Sequence, residues 1–205
     1  MTNTHTTAPQ LRGPSDHDIR DQIIEAATEY FGRYGYKKTT VSDLAKAIGF
    51  SKAYIYKFFD SKQAIGEVIC TNRLNAIMAA VDAATTDAPS ASERLRRMFK
   101  ALVAAGTDLF FHDRKLYDIA ATSASESWPS IAAYEEQLKM RVTQLVSDGR
   151  KAQEFERKTP LDEAANAIYL CMRPYINPLF LQHNLDNAAE AATQLSNLIL
   201  RSLAP

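Results

Sequence analysis

Residues 41–58 read VSDLAKAIGFSKAYIYKF, and this stretch indicates the fold of the N-terminal part of the chain. Its apolar positions give two short helices one buried face each, supplied by Leu44, Ile48, Phe50, Ile55 and Phe58. Ala45 is small where the helices would touch, and Gly49 stands where the chain needs a left-handed backbone. The pattern predicts a helix-turn-helix, whose second helix can enter the major groove of DNA. The alternative is an ordinary helical hairpin in a core.

The charge around this stretch is asymmetric. The whole chain has 24 basic and 24 acidic residues and no net charge. Between residues 33 and 62, however, seven basic residues face only two acidic ones, Asp43 and Asp60. A basic patch over a helix-turn-helix is the pattern expected for phosphate contact, and the alternative is a solvated charged face. The coincidence of the two features favours DNA.

Composition places the chain among globular proteins. It has 205 residues, of which 46% are hydrophobic, with seven Gly and eight Pro. It contains no apolar run of about 18 residues, and its polar N-terminus lacks the apolar segment of a signal peptide. We therefore expect a cytoplasmic protein without membrane contact. The two cysteines, Cys70 and Cys171, lie in apolar helical contexts and form no disulfide framework.

The pattern along the chain predicts an all-α fold without strands. We predict a disordered tail over residues 1–14, a three-helix DNA-binding domain over 15–62, and a larger C-terminal helical domain for ligand binding and dimerisation over 63–205. Ser15 or Asp16 is predicted to cap the first helix and Ser51 the third, and Thr40 with Asp43 resembles a capping box. Pro174 is expected to kink or break the eighth helix, and Asn177-Pro178 to restart it.

The N-terminal stretch resembles the TetR/AcrR family of bacterial transcriptional regulators. The resemblance runs from Ile23 to Ile65 and rests on the residues Ile24–Ala27, Phe31, Gly35, Tyr36, Thr39, Thr40, Leu44, Ala45, Ile48, Gly49, Ser51, Lys52, Ile55, Tyr56, Phe59, Ser61 and Lys62. It implies a homodimer that binds a palindromic operator in double-stranded DNA, most often as a repressor released by a small-molecule effector. Ser42, Ala53 and Tyr54 depart from the residues common in the family, which puts the operator sequence in question.

The predicted DNA contacts follow from this resemblance and from the charge. Tyr56 is expected to donate its hydroxyl to a phosphate, and Lys62 to reach a phosphate from the first turn of the fourth helix. Lys52 and Tyr54 are the candidates for base edges. The complete predicted DNA-binding set is Lys37, Lys38, Thr40, Ser51, Lys52, Tyr54, Tyr56, Lys57 and Lys62. Arg12 could reach a minor groove from the tail, and the alternative, which we favour, is a disordered arginine.

A set of large side chains in the C-terminal part gives the candidate ligand pocket. Gly106 and the prolines at 174 and 178 interrupt helices, and irregular helices leave room for a cavity. The predicted lining is Phe99, Phe110, Trp128, Tyr134, Tyr169, Met172 and Arg173, of which Arg173 could hold an acidic ligand. The alternative is that the aromatic residues are core and Arg173 is a surface residue. No metal site is predicted, because His112-Asp113 has no further ligand at a suitable spacing.

A two-fold homodimer is predicted through the last two long helices. The candidate contact residues are Ala188, Ala191, Ala192, Leu195, Leu198, Ile199 and Ser202 on the final helix, with Ala164, Ala165, Ile168, Leu170, Cys171 and Met172 on the eighth. The alternative is that the final helix packs only on its own domain.

Two other functional classes compete with a DNA-binding regulator. The sequence contains no glycine-rich phosphate loop and no metalloprotease or nucleophile-elbow motif, so neither catalysis nor a cofactor is expected. A helical interaction protein that uses the basic helix pair for a protein partner is the remaining alternative. DNA binding at moderate salt discriminates between it and a regulator.

Overall fold

A computed structural model describes residues 16–205, and within this range the chain is helical with no strand. The predicted tail, residues 1–14, and the candidates Arg12 and Ser15 lie outside the described residues. The helices are α1 (Asp16–Tyr34), α2 (Val41–Ala47), α3 (Lys52–Ile55), α4 (Lys62–Thr85), α5 (Ala91–His112), α6 (Arg114–Ser125), α7 (Pro129–Lys151), α8 (Leu161–Ile176), α9 (Pro178–Leu181) and α10 (Leu185–Ser202). The all-α prediction is confirmed.

Helices α1 to α3 form the small N-terminal unit around an apolar centre. Ile23, Phe31, Leu44 and Ile55 are fully buried there. Two left-handed glycines set the turns: Gly35 has φ +89° after α1, and Gly49 has φ +72° between α2 and α3. Other residues adopt this backbone region only at a cost, so the two glycines fix where the chain can reverse.

Helix α4 joins this unit to the remaining helices. It begins at Lys62 after its cap Ser61, whose side chain accepts a hydrogen bond from the Ala64 amide at 3.0 Å. It then packs against α1, α5, α6 and α7. The predicted domain boundary after residue 62 therefore falls in the first turn of a helix that contacts both parts.

The proline pair near residue 176 marks a short break between two helices. Pro174 lies inside α8, which continues to Ile176, so the helix does not end at this proline. Asn177 then caps α9, because its side-chain oxygen accepts from the Leu179 amide at 2.9 Å, and Pro178 occupies the first turn. The predicted restart at Asn177-Pro178 is confirmed.

Several residues of α8 and α10 that were predicted to contact a partner subunit are buried within their own chain instead. Helix α10 packs against α5 and α8 of its own chain, and this contact buries Ala188, Ala191, Ala192 and Ile199. Ala164, Ala165, Ile168 and Met172 of α8 are buried as well. The small residues assigned to a partner helix therefore pack within the domain. Leu170 and Leu198 remain outward, with 52% and 61% of their surfaces exposed.

No helix within residues 16–205 is both long enough and apolar enough to cross a membrane.

Candidate nucleic-acid interface

Side-chain caps fix the starts of α2 and α3. The Thr40 hydroxyl accepts from the Asp43 amide at 3.2 Å, and the Thr40 amide donates to the Asp43 carboxylate at 3.0 Å, which completes the predicted capping box. The Thr40 hydroxyl also donates to that carboxylate at 2.6 Å. The hydrogen bonds from Thr40 lower the pKa of the Asp43 carboxyl. Ser51 caps α3 by accepting from the Tyr54 amide at 3.0 Å. Thr40 thus has a structural role at the position where a phosphate contact was predicted, whereas the Ser51 hydroxyl keeps its proton to donate outward.

The outward face of α3 and of the turn that follows it is basic and aromatic. Lys52, Ala53, Tyr56 and Lys57 are exposed around the buried Ile55. The Lys52 ammonium lies 5.7 Å from the centre of the Tyr56 ring, which is 41% exposed. Within residues 16–205, none of the lysines on this face forms a salt bridge, so their charges are available to an anionic partner. We call these four residues the α3 outward face.

Tyr54, a predicted base contact, is less exposed to solvent than the sequence analysis assumed. Its ring is half-buried and lies edge-on between Phe50 and Phe58, with ring centres 5.0 and 5.4 Å away. Lys57 places its ammonium 5.5 Å from the centre of the Tyr54 ring. The ring thus belongs to an aromatic row along the edge of the core. The predicted DNA-binding set did not include Ala53, which is exposed. Its position as the second residue of α3 could have identified it as a candidate for base contact.

Lys62, a predicted phosphate contact, forms hydrogen bonds within its own chain. Its ammonium donates to the carbonyl oxygens of Tyr36 and Thr39 at 3.1 and 3.0 Å and lies 4.3 Å from the Tyr36 ring centre. Burial lowers the pKa of Lys62, and nearby Glu126 opposes that shift. The residue therefore holds the turn between α1 and α2. Lys37 and Lys38, on the same turn, are exposed, and their contact with DNA stays a prediction.

An aromatic contact ties this turn to the C-terminal helices. Tyr36 is buried and meets Trp128 edge-on at 5.6 Å, while Gly66 of α4 lies against both rings. A Cβ at Gly66 would come within 3.0 Å of Tyr36 and 3.1 Å of Trp128, so the glycine permits the close approach. Burial, with Glu126 and Glu67 nearby, raises the pKa of Tyr36 to about 12.

Most of the predicted ligand lining is packed core. Phe99, Trp128, Tyr134, Tyr169 and Met172 are all at least 96% buried, and Phe110 is half-buried between Phe111 and Tyr117. Burial strongly raises the pKa of the Tyr134 hydroxyl. Helix α5 continues through Gly106, and α8 continues through Pro174. At the break between α8 and α9, Ile176 of α8 and Leu181 of α9 are buried in the core, so these side chains fill the space where a cavity was expected.

Arg173 is the predicted ligand residue that lines a cavity. This cavity measures about 160 Å³ and is also bounded by Ile131, Glu135 and Asn177. Arg173 Nε lies 3.8 Å from a Glu135 carboxylate oxygen, which also accepts from the Asn177 amide at 2.9 Å. An acidic ligand would therefore compete with Glu135 for this arginine. Within residues 16–205, no cluster of three His, Cys, Asp or Glu side chains is arranged to hold a metal ion.

Two family descriptions match the chain. Residues 23–68 match bacterial regulatory proteins of the tetR family, and residues 91–195 match the tetracyclin repressor-like C-terminal domain. The second match alone covers about half of the chain. The first includes all of α2 and α3 and so contains the α3 outward face.

Individual proteins are similar over parts or most of the chain. The biofilm operon icaADBC HTH-type negative transcriptional regulator IcaR of Staphylococcus aureus is 40% identical over 63 residues, which are 29% of this chain and 34% of that protein. The uncharacterized HTH-type transcriptional regulator YhgD of Bacillus subtilis is 33% identical over 86 residues, 42% of this chain and 45% of that one. The matches therefore span less than half of either relative.

A solved structure is similar over most of the length. The TetR family transcriptional regulator PfmR of Thermus thermophilus aligns with 90% of this chain and 100% of its own, with 26% identity and a TM-score of 0.59. The similarity thus extends beyond the helix-turn-helix to the arrangement of the C-terminal helices.

Proposed function

Because the chain belongs to the TetR family of bacterial regulatory proteins, we propose that it is a transcriptional repressor that binds a palindromic operator in duplex DNA as a homodimer and is released by a small-molecule effector. The α3 outward face is the observation that carries this proposal. A short helix with exposed lysines and a tyrosine, set on a capped turn, is suited to contact bases and phosphates together. Family membership favours regulation over catalysis.

The outward side chains divide by chemistry into two roles. Lys52 and Ala53 begin α3, the end that reaches base edges in helix-turn-helix proteins, where a lysine suits guanine and a small apolar side chain suits a thymine methyl group. Tyr56, Lys57, Lys37 and Lys38 contact phosphates, and the Ser51 hydroxyl can donate to one. Phosphate contacts fix the register on DNA and carry no sequence information.

Operator selection from randomised duplexes tests the proposal directly. We expect one palindromic sequence to be enriched, and binding to it should weaken steeply with salt because bound lysines release counterions. Lys52→Ala should change which base is preferred at one position of each half-site, by about 1–3 kcal/mol. Lys151→Ala, an exposed lysine at the end of α7, is the matched control and should leave the preference unchanged. Selection that enriches no sequence would contradict the proposal.

Removal of the charge at Lys38 should affect DNA binding, whereas removal of the charge at Lys62 should affect stability. Lys38→Gln should lower the slope of log affinity against log salt by about one for each protomer, because it removes a phosphate contact. Lys62→Gln should leave that slope unchanged but lower the free energy of unfolding by about 1–2 kcal/mol, because the carbonyls of Tyr36 and Thr39 lose their donor. Salt titrations and urea unfolding measure the two effects. A lower slope for Lys62→Gln would restore its predicted phosphate role.

The homodimer is proposed to form through the outward apolar residues of α8 and α10. The two helices contact each other, and each presents a large exposed leucine, Leu170 and Leu198. Cys171 is exposed beside Leu170. A two-fold interface uses the same surface on both subunits, so this face can meet its own copy. The dimer would place two recognition helices about 34–36 Å apart, one turn of DNA.

A further inference from the structure

We propose that the effector site of this protein is a cleft between the α1–α2 turn and helices α6 and α9, and that its ligand is an amphipathic organic anion. The cleft has a volume of about 580 Å³, and its walls include Tyr34, Lys37, Lys38, Lys115, Ala121 and Leu179. This volume is within the range of roughly 300–1,000 Å³ found for small-molecule sites. The inference rests on the proposed repressor function for its regulatory consequence, but not for the binding itself.

The charges in the cleft favour an anion. Three lysines line it against a single carboxylate, Asp118, and the Arg114 guanidinium is already within 3.2 Å of that carboxylate. The Lys115 ammonium donates to the carbonyl oxygen of Arg33 at the end of α1, which holds this lysine at the junction between the two walls. An ammonium has three donors, so Lys115 retains donors for a carboxylate, sulfonate or phosphate group.

The remaining surface of the cleft favours an apolar body attached to that anion. Ala121 and Leu179 contribute aliphatic surface, and the Tyr34 ring is 46% exposed. The hydroxyl of Thr122, also in the cleft, is already committed to the carbonyl oxygen of Asp118 at 2.7 Å. A small inorganic anion would leave this apolar surface in water, whereas an amphipathic anion covers it and gains the free energy of its burial.

The position of the cleft connects ligand binding to DNA. One wall carries Lys37 and Lys38, the proposed phosphate contacts, and the other belongs to the C-terminal helices. An ammonium that binds the ligand cannot serve a DNA phosphate at the same time, and a ligand that bridges both walls also fixes the angle between them. Ligand and operator therefore oppose each other, and by linkage each lowers the affinity of the other.

The experiment uses anilinonaphthalene sulfonate, a fluorescent amphipathic anion, and its uncharged analogue N-phenylnaphthylamine. The anion should bind the folded full-length protein at least tenfold more tightly than the neutral compound. Lys115→Gln should weaken binding of the anion about fivefold to tenfold, while Lys151→Gln, remote from the cleft, should not change it. Ala121→Phe fills the cleft and should abolish binding while circular dichroism shows an unchanged fold. If the wild type and Ala121→Phe bound anilinonaphthalene sulfonate equally, the cleft would not be its binding site. If the wild type bound the charged and the uncharged compound equally, the site would have no preference for an anion.

The regulatory half of the proposal has a separate measurement. At ten times its dissociation constant, the anion should lower operator affinity about tenfold for each protomer of the dimer, and Ala121→Phe should bind the operator normally but no longer respond. Unchanged or tighter operator binding in the presence of bound anion would overturn the antagonism. If the protein binds no DNA at all, the proposed function fails, while the fluorescence titrations still decide whether the cleft takes an anion.

Discussion

Replacement of Leu170 and Leu198 together by glutamate should turn the protein into a monomer and lower operator affinity by about 10²–10⁴-fold. Both leucines are more than half exposed on helices that contact each other, so the charges would enter the proposed interface rather than the core of the domain. A monomer binds one half-site and loses the second, linked binding event. Sedimentation should report the monomer mass, and the salt dependence of DNA binding should fall to about half.

A control on the same helix separates the interface from a general effect of charge. Thr193→Glu places the same charge on the exposed part of α10 that borders α5, away from Leu198. It should leave both the dimer and operator binding unchanged. A folded double variant that still sediments as a dimer would place the interface on another face of the molecule.

Phe99→Ala should lower the free energy of unfolding by about 3–5 kcal/mol. The Phe99 side chain is fully buried on α5, with the Tyr175 ring centre 6.5 Å away, so truncation leaves a cavity that the surrounding helices fill only in part. Phe111→Ala on the same helix removes the same atoms from a side chain that is 65% exposed, and it should cost less than about 0.5 kcal/mol. Urea unfolding at one fixed protein concentration measures both, because dimerisation makes stability depend on concentration.

The same pair of variants tests the ligand role that the sequence suggested for Phe99. A side chain that lines a water-filled pocket packs on one side only, and its truncation costs little stability. If the free energy of unfolding of Phe99→Ala lay within about 1 kcal/mol of the wild-type value, Phe99 would border a cavity that opens in solution. The pocket predicted around Phe99 from the sequence would then again be a candidate effector site.

The DNA-binding unit could be predicted from the sequence in detail because the forces that shape it are local. The capping box joins Thr40 and Asp43, which are three positions apart, the Ser51 cap contacts an amide three residues on, and Gly49 sets its turn through its own backbone. Burial of Leu44 and Ile55 follows from helical periodicity within a few turns. Such interactions are determined by neighbours along the chain, so they can be recognised without knowing the rest of the fold.

The roles of Lys62, Phe99 and the small residues of α10 depended on the tertiary structure. Lys62 donates to carbonyl oxygens 23 and 26 residues earlier in the chain, and no spacing rule reveals such partners. Helix α10 carries apolar residues on more than one side, and only its packing against α5 decides that Ala192 turns inward and Leu198 outward. Periodicity shows that a helix has apolar faces, but which face meets which neighbour depends on the positions of helices distant in sequence.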